Sequence, residues 1–148
     1  MTEETSDVAI KLPMTAERLL PHRPPMLFVD RLLERSGNRA RAAATMPASG
    51  VCIDGDVYLD EFFIELVAQT MAMANGYDAL CQGKTVNDGM LVAIDSFDFY
   101  TSAAPGSDLV IIIEKTFDYG PIKLILGEVL DGDVKLVTGD LKVWENVG

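Results

Sequence analysis

Residues 58–82, YLDEFFIELVAQTMAMANGYDALCQ, form the most apolar part of the chain and limit its fold more than any other segment. The run is too long and too rich in methionine and alanine for a strand, so it is expected to form the chain's single long helix. Its apolar side chains occupy most of the circumference rather than one stripe, and such a helix must be covered by other elements. Asn75-Gly76 is the point where bending or fraying is expected. Downstream, four segments read as strands: GMLVAIDSFDFY (89–100), DLVIIIEKTFDY (108–119), PIKLILGEVL (121–130) and DVKLVTGDLKVWE (133–145). Pro105-Gly106, Gly120-Pro121 and Asp131-Gly132-Asp133 separate them, the last as a compact hairpin connection.

Ahead of the helix, the pattern predicts an N-terminal extension (1–12), a helical turn around AERLL (16–20) and a strand in LFVDRLLE (27–34). NRARAAATM (38–46) alternates small apolar with polar residues, the two-residue period of a half-buried strand. PASGVCIDGD (47–56) reads as turns. At 148 residues and 49% apolar, the chain has the size and composition of one domain, expected over 13–148. No uninterrupted apolar stretch reaches the roughly 18 residues of a membrane span. The acidic, polar start MTEETSDVAIKLP lacks the basic region and apolar run of a signal peptide, and a cytoplasmic protein is expected. Cys52 and Cys81 lie in no metal-binding or redox spacing, so two reduced, half-buried thiols are expected.

The net charge of −11 argues against nucleic acid as a partner. Its distribution is uneven: Arg18, Arg23, Arg31, Arg35, Arg39 and Arg41 are the only arginines, and residues 42–83 contain neither lysine nor arginine. If an acidic partner protein docks on this chain, it should seek that arginine-bearing end, since the remaining surface repels it. The alternative is that these arginines form the solvated face of two strands.

Within the predicted helix, Glu61, Glu65 and Gln69 recur every four residues and share one face. Asp60 and Glu61, at the start, suit the positive end of the helix dipole. Glu65 lies one turn deeper, where an acidic group among apolar ones is a candidate catalytic carboxylate. Gln69 is then its candidate orienter through a hydrogen bond, or a side chain that satisfies a backbone group.

Four stretches carry a family resemblance. LPHRPPMLFVDR (20–31) followed by IELVAQ (64–69) resembles the opening and helix of the hotdog-fold 3-hydroxyacyl-thioester dehydratases of fatty acid synthesis, and specifically a branch of predicted dehydratases from polyene-lipid pathways. LVAIDSFDFYTSAAPGSDLVIIIE (91–114) and YGPIKLILGEVLDGDVKLVTGDLKV (119–143) are similar to the family's middle and final strands. The resemblance implies an α+β hotdog fold, an antiparallel sheet wrapped around one long central helix. It also implies removal of water from a 3-hydroxyacyl thioester, carried on acyl carrier protein or coenzyme A, to give a 2-enoyl thioester. In this chemistry a base takes a proton from C2, acidified by the thioester, and an acid protonates the departing hydroxyl. Glu65 matches the family's helix carboxylate. The helix N-terminal amides that hold the thioester carbonyl fall at Asp60 and Glu61, and no metal or organic cofactor is required.

Two departures stand out. Leu59-Asp60 replaces the family's proline-glycine pair, and the position of its loop histidine falls on Val51, beside Cys52. The only histidine, His22, belongs to the LPHR motif and is expected to be a structural residue at the entry to the first strand. Cys52 is expected to be a small buried thiol and not a nucleophile. Because hotdog sites lie between subunits, the chain is expected to be at least a homodimer, or to pair with a histidine-bearing relative that supplies the missing side chain. Two other functions fit the same residues. One is a hotdog thioesterase using Glu65 alone. The other is a non-catalytic acyl-binding subunit of a heteromeric dehydratase.

Overall fold

A computed structural model describes residues 10–84 and 89–145, so part of the expected N-terminal extension, residues 1–9, lies outside the described residues. Its elements run β1 (Met14–Thr15), a 3-10 turn (Ala16–Arg18), β2 (Val29–Ser36), β3 (Arg39–Thr45), β4 (Ile53–Asp54), β5 (Val57–Tyr58), α1 (Asp60–Cys81), β6 (Gly89–Phe99), β7 (Asp108–Tyr119), β8 (Ile122–Asp131) and β9 (Val134–Glu145). Seven strands form one antiparallel sheet in the order β1-β2-β3-β7-β8-β9-β6, with α1 packed against its inner face. This is the hotdog arrangement, and β4 and β5 make a separate small hairpin just before α1.

The inner face follows from alternation. Ala40, Ala42 and Ala44 of β3 and Leu109, Ile111 and Ile113 of β7 are buried, and each small residue leaves room for the helix beneath. Phe62, Leu66, Val67, Met73 and Ala74 fill that space from the helix side. Two glycines set how closely the layers approach. A Cβ at Gly127 of β8 would run into the Val67 side chain, and a Cβ at Gly76 of α1 would run into the Leu19 carbonyl. Gly76 therefore serves packing, and α1 continues through Asn75-Gly76 without the expected fraying. The helix ends one turn later, where Gly83 at φ +67° lets the Lys84 amide bond back to the Ala79 carbonyl at 2.8 Å.

The last residues of the expected N-terminal extension touch the domain. Ile10 and Leu12 pack against the core, and the Tyr77 hydroxyl donates to the Ile10 carbonyl. On the far side of α1, Arg35 of β2 grips Asp78 through Nε and an η-nitrogen at 3.1 and 2.8 Å, tying the sheet to the last turns of the helix. No helix among the described residues is long and apolar enough to cross a membrane.

Candidate active site

Burial along the Glu61–Glu65–Gln69 stripe increases step by step. Glu61 is exposed, Glu65 is half-buried and Gln69 is only 1% exposed. An amide so deeply buried must be paired, and Gln69 uses both ends. Its oxygen accepts from the Phe28 amide at 2.9 Å, and its nitrogen donates to the Met26 carbonyl at 2.8 Å and to Glu65 Oε1 at 2.9 Å. One side chain therefore fixes the end of the LPHRPPM loop against the helix and orients the carboxylate one turn earlier.

Glu65 and Gln69 line a cavity of about 710 Å³ along the open face of α1. Its walls are the 18–22 segment, including Arg18 and His22, and the ends of β6 and β9, including Met90 and Trp144. Asp60 is not in this cavity. It lines a second one of about 630 Å³ at the start of α1, together with Tyr58, Phe63, Phe99 and Tyr100. The amides at Asp60 and Glu61 are in the first turn of a helix that no side chain caps, which leaves them as open donors, and Asp60 lines a different recess from Glu65. A run of aromatic rings, Phe28–Phe62–Phe63–Phe99, lies between the β2 entry and β6 with successive centroids 5.5, 5.2 and 6.3 Å apart.

Beside Val51, the loop residue Cys52 has its carbonyl bonded by the Leu59 amide at 2.8 Å. Burial first, then the charges of Glu61 and Glu65, push its thiol above the usual range and keep it neutral. Both cysteines are free and half-buried, as expected from sequence. His22, expected from sequence to be a structural residue at the entry to the first strand, is among the residues that line the same cavity as Glu65. The contact between Gln69 and the loop at residues 26 and 28 brings it there, and that contact spans some forty positions of sequence. Among the described residues no cluster of side chains is suited to hold a metal ion.

An antiparallel sheet around one long central helix that carries a half-buried carboxylate makes this a hotdog protein, and the comparisons give its type. Residues 14–147 match the ApeP-like family, described as ApeP dehydratase, and the chain belongs to that family. It is 32% identical to a 3-hydroxyacyl-[acyl-carrier-protein] dehydratase FabZ of Natranaerobius thermophilus, over 84% of this chain and 90% of the relative. It is 30% identical to a FabZ of Anaeromyxobacter sp., over 72% of each chain. Among solved structures, the dehydratase heterocomplex ApeI:P from Xenorhabdus doucetiae superposes with a TM-score of 0.79 at 25% identity, covering 93% of both chains. The Escherichia coli PaaI protein of a phenylacetic acid degradation operon shares the fold, with a TM-score of 0.63 at 14% identity, over 81% of this chain and 80% of that one.

Proposed function

We propose that the chain acts on 3-hydroxyacyl groups held as phosphopantetheine thioesters, with Glu65 as an acid/base group and Gln69 as its positioning residue. The observation that carries this reading is the Gln69–Glu65 hydrogen bond at 2.9 Å, made by a fully buried amide on the wall of a substrate-sized cavity. A thioester already acidifies C2, so elimination of water proceeds with acid/base groups and no metal or organic cofactor. The amides of Asp60 and Glu61 hold the thioester carbonyl once a second subunit brings the two recesses together. Acyl carrier protein supplies the substrate in the cytoplasm, approaching the cavity at Arg18 with the exposed Arg31 and Arg39 on the same end of the chain.

Assembly is part of this reading. β6 is one of the sheet's two edge strands, eleven residues long, and leaves Met90, Val92 and Ile94 61, 47 and 45% exposed, with Met90 on the lining of the open cavity. A long apolar edge of this kind calls for a partner strand. The partner is a second copy or a histidine-bearing relative; the ApeI:P heterocomplex supports the relative, and with it a subunit that binds the acyl chain without completing the chemistry alone. Substituting Ile94→Lys should shift the assembled form toward monomer in sedimentation at micromolar concentration, and a wild-type monomer there would exclude a self-assembled dimer.

The test is mass-spectrometric turnover of 3-hydroxyacyl thioesters on carrier protein, alone and with a histidine-bearing relative, comparing wild type with Glu65→Gln. Loss of one water from the acyl group, abolished by the substitution, supports the dehydratase. Release of the acyl chain would replace it with a thioesterase. Wild-type rates from Glu65→Gln would remove Glu65 from the chemistry.

A further inference from the structure

β7 and β8 lie in the middle of the sheet, and their sequences do not alternate as those of the flanking strands do. On the face turned away from α1, β3 carries Arg39 and Arg41, and β9 carries Thr138, Asp140 and Lys142. In β7 and β8, by contrast, LVIII (109–113) and LIL (124–126) are apolar at every position, so both faces of these strands bear apolar side chains. An antiparallel sheet with one face in water places polar residues on that face, and continuous apolar runs belong to strands covered on both sides.

Inward, Leu109, Ile111 and Ile113 of β7 and Ile125 and Val129 of β8 are buried in the core shared with α1. Outward stand Ile112, Phe117 and Tyr119 of β7, with Leu124, Leu126 and Leu130 of β8 between or opposite them. Phe117, Tyr119 and Leu126 are 50, 60 and 44% exposed, and the two rings stack with centroids 4.4 Å apart. Apolar groups gathered in one exposed patch, rather than scattered singly, mark an interaction surface.

Size and charge identify what fits there. Five neighbouring strands, β3, β7, β8, β9 and β6, at about 4.8 Å spacing and about 3.4 Å rise over roughly ten residues, present a face on the order of 800 Å². That is about the share each partner gives to a standard stable interface. One row across this face reads Arg39, Glu114, Leu126 and Asp140 on β3, β7, β8 and β9. Among the described residues neither Arg39 nor Asp140 has an ion-pair partner, whereas Glu128 on the same face is neutralised by Lys135 at 3.2 Å. A two-fold axis parallel to the strands, between β7 and β8, lays β3 of one copy over β9 of the next. Arg39 then meets Asp140 at both flanks, and the apolar residues of β7 and β8 face one another as in an aligned sheet-on-sheet packing. A partner of one charge sign would gain at one flank and lose at the other; a second copy gains at both.

We propose that the outer face of the sheet is an interface between two copies of this chain, packed sheet on sheet through β7 and β8, with Arg39 of each opposite Asp140 of the other. This surface is separate from the β6 edge, so a chain uses both at once, and two edge-joined pairs become one assembly through the face.

The experiment is sedimentation equilibrium of the full chain from about 1 to 100 μM, for wild type, Leu126→Lys, Leu126→Ser, Arg39→Asp, Asp140→Arg and the double reversal, with unfolding midpoints measured beside it. Expected are particles with about half the wild-type number of chains in both Leu126 variants, at unchanged midpoints, because this side chain is already partly in water. Each single charge reversal should raise the dissociation constant about fivefold, and the double reversal should restore it, since one modest ion pair is lost or regained at each flank. Equal masses for wild type and both Leu126 variants, whether monomer or pair, would overturn the proposal and leave any assembly to the β6 edge. Single charge reversals that change nothing would overturn it as well, because copy-on-copy packing brings those charges together. Unchanged self-association in Leu126→Lys, with loss of binding to a histidine-bearing relative, would overturn it and assign the face to that relative.

Discussion

The two faces of α1 are made from one stretch of sequence and answer to different demands. The face toward the sheet carries Phe62, Leu66 and Met73, all at 1% exposure or less, and its neighbours are set by volume: alanines on β3 and a glycine on β8 where the helix comes closest. The opposite face carries Glu61, Glu65, Ala68, Gln69, Ala72 and Asn75, with small side chains between polar ones, and most of it opens on a cavity instead of a packed layer. A helix of only sheet-facing character would bury more apolar area. The open face gives that up for a positioned carboxylate, so loss of a side chain should register as stability on one face and as activity on the other.

The largest separation of the two should come from Leu66→Ala. It removes a fully buried side chain from the packed face and is expected to lower stability by about 2–5 kcal/mol in denaturant unfolding, while the rate constant of protein that remains folded stays near wild type. Glu65→Gln should behave in the reverse way, cutting turnover by about 100-fold with little change in the unfolding midpoint, because the carboxamide keeps the size and can still pair with Gln69. Gln69→Leu falls between the faces. It leaves the Phe28 amide and Met26 carbonyl unpaired and frees Glu65, so about 1–3 kcal/mol of stability and a drop in turnover are expected together; an effect on only one of the two would show that the amide serves a single face.

The smallest effect concerns Cys52, beside the carboxylates of the open face. Its pKa is raised above the ordinary 9.0, so the neutral thiol is favoured in the fold. That preference contributes stability below pH 9 or so and is lost as pH rises through the folded-state value. In a Cys81→Ser background, iodoacetamide should label Cys52 more slowly than a free cysteine at neutral pH and accelerate only above about pH 9. Fast labelling at neutral pH would mean that the thiol is ionised and that the nearby carboxylates do not face it.

The main elements were legible in the sequence because each has a period or a punctuation mark. α1 was expected over 58–82 and runs Asp60–Cys81, and the four downstream strands fall where their turn residues delimit them. The short pieces were missed: β1 and the β4–β5 hairpin have two residues per strand, too few for a period to show. Asn75-Gly76 misled for a different reason. Glycine weakens a helix intrinsically, and only the approach of the Leu19 carbonyl shows why it is tolerated there.

The candidate site divides in the same way. The alignment of Glu61, Glu65 and Gln69 on one face is fixed by helical geometry and was readable from their spacing, as was the pairing of Gln69 with Glu65. The graded burial along that stripe, the separation of Asp60 from Glu65 into two recesses, and the place of His22 in the lining of the Glu65 cavity were not. By itself the sequence determined the local, periodic facts: one long buried helix, strands with an apolar face, an acidic chain without a loop histidine. Only the tertiary structure decided which distant segments meet, because contacts such as Gln69 with Met26 and Phe28 come from how helix and sheet pack, and no local pattern encodes the distance across that packing.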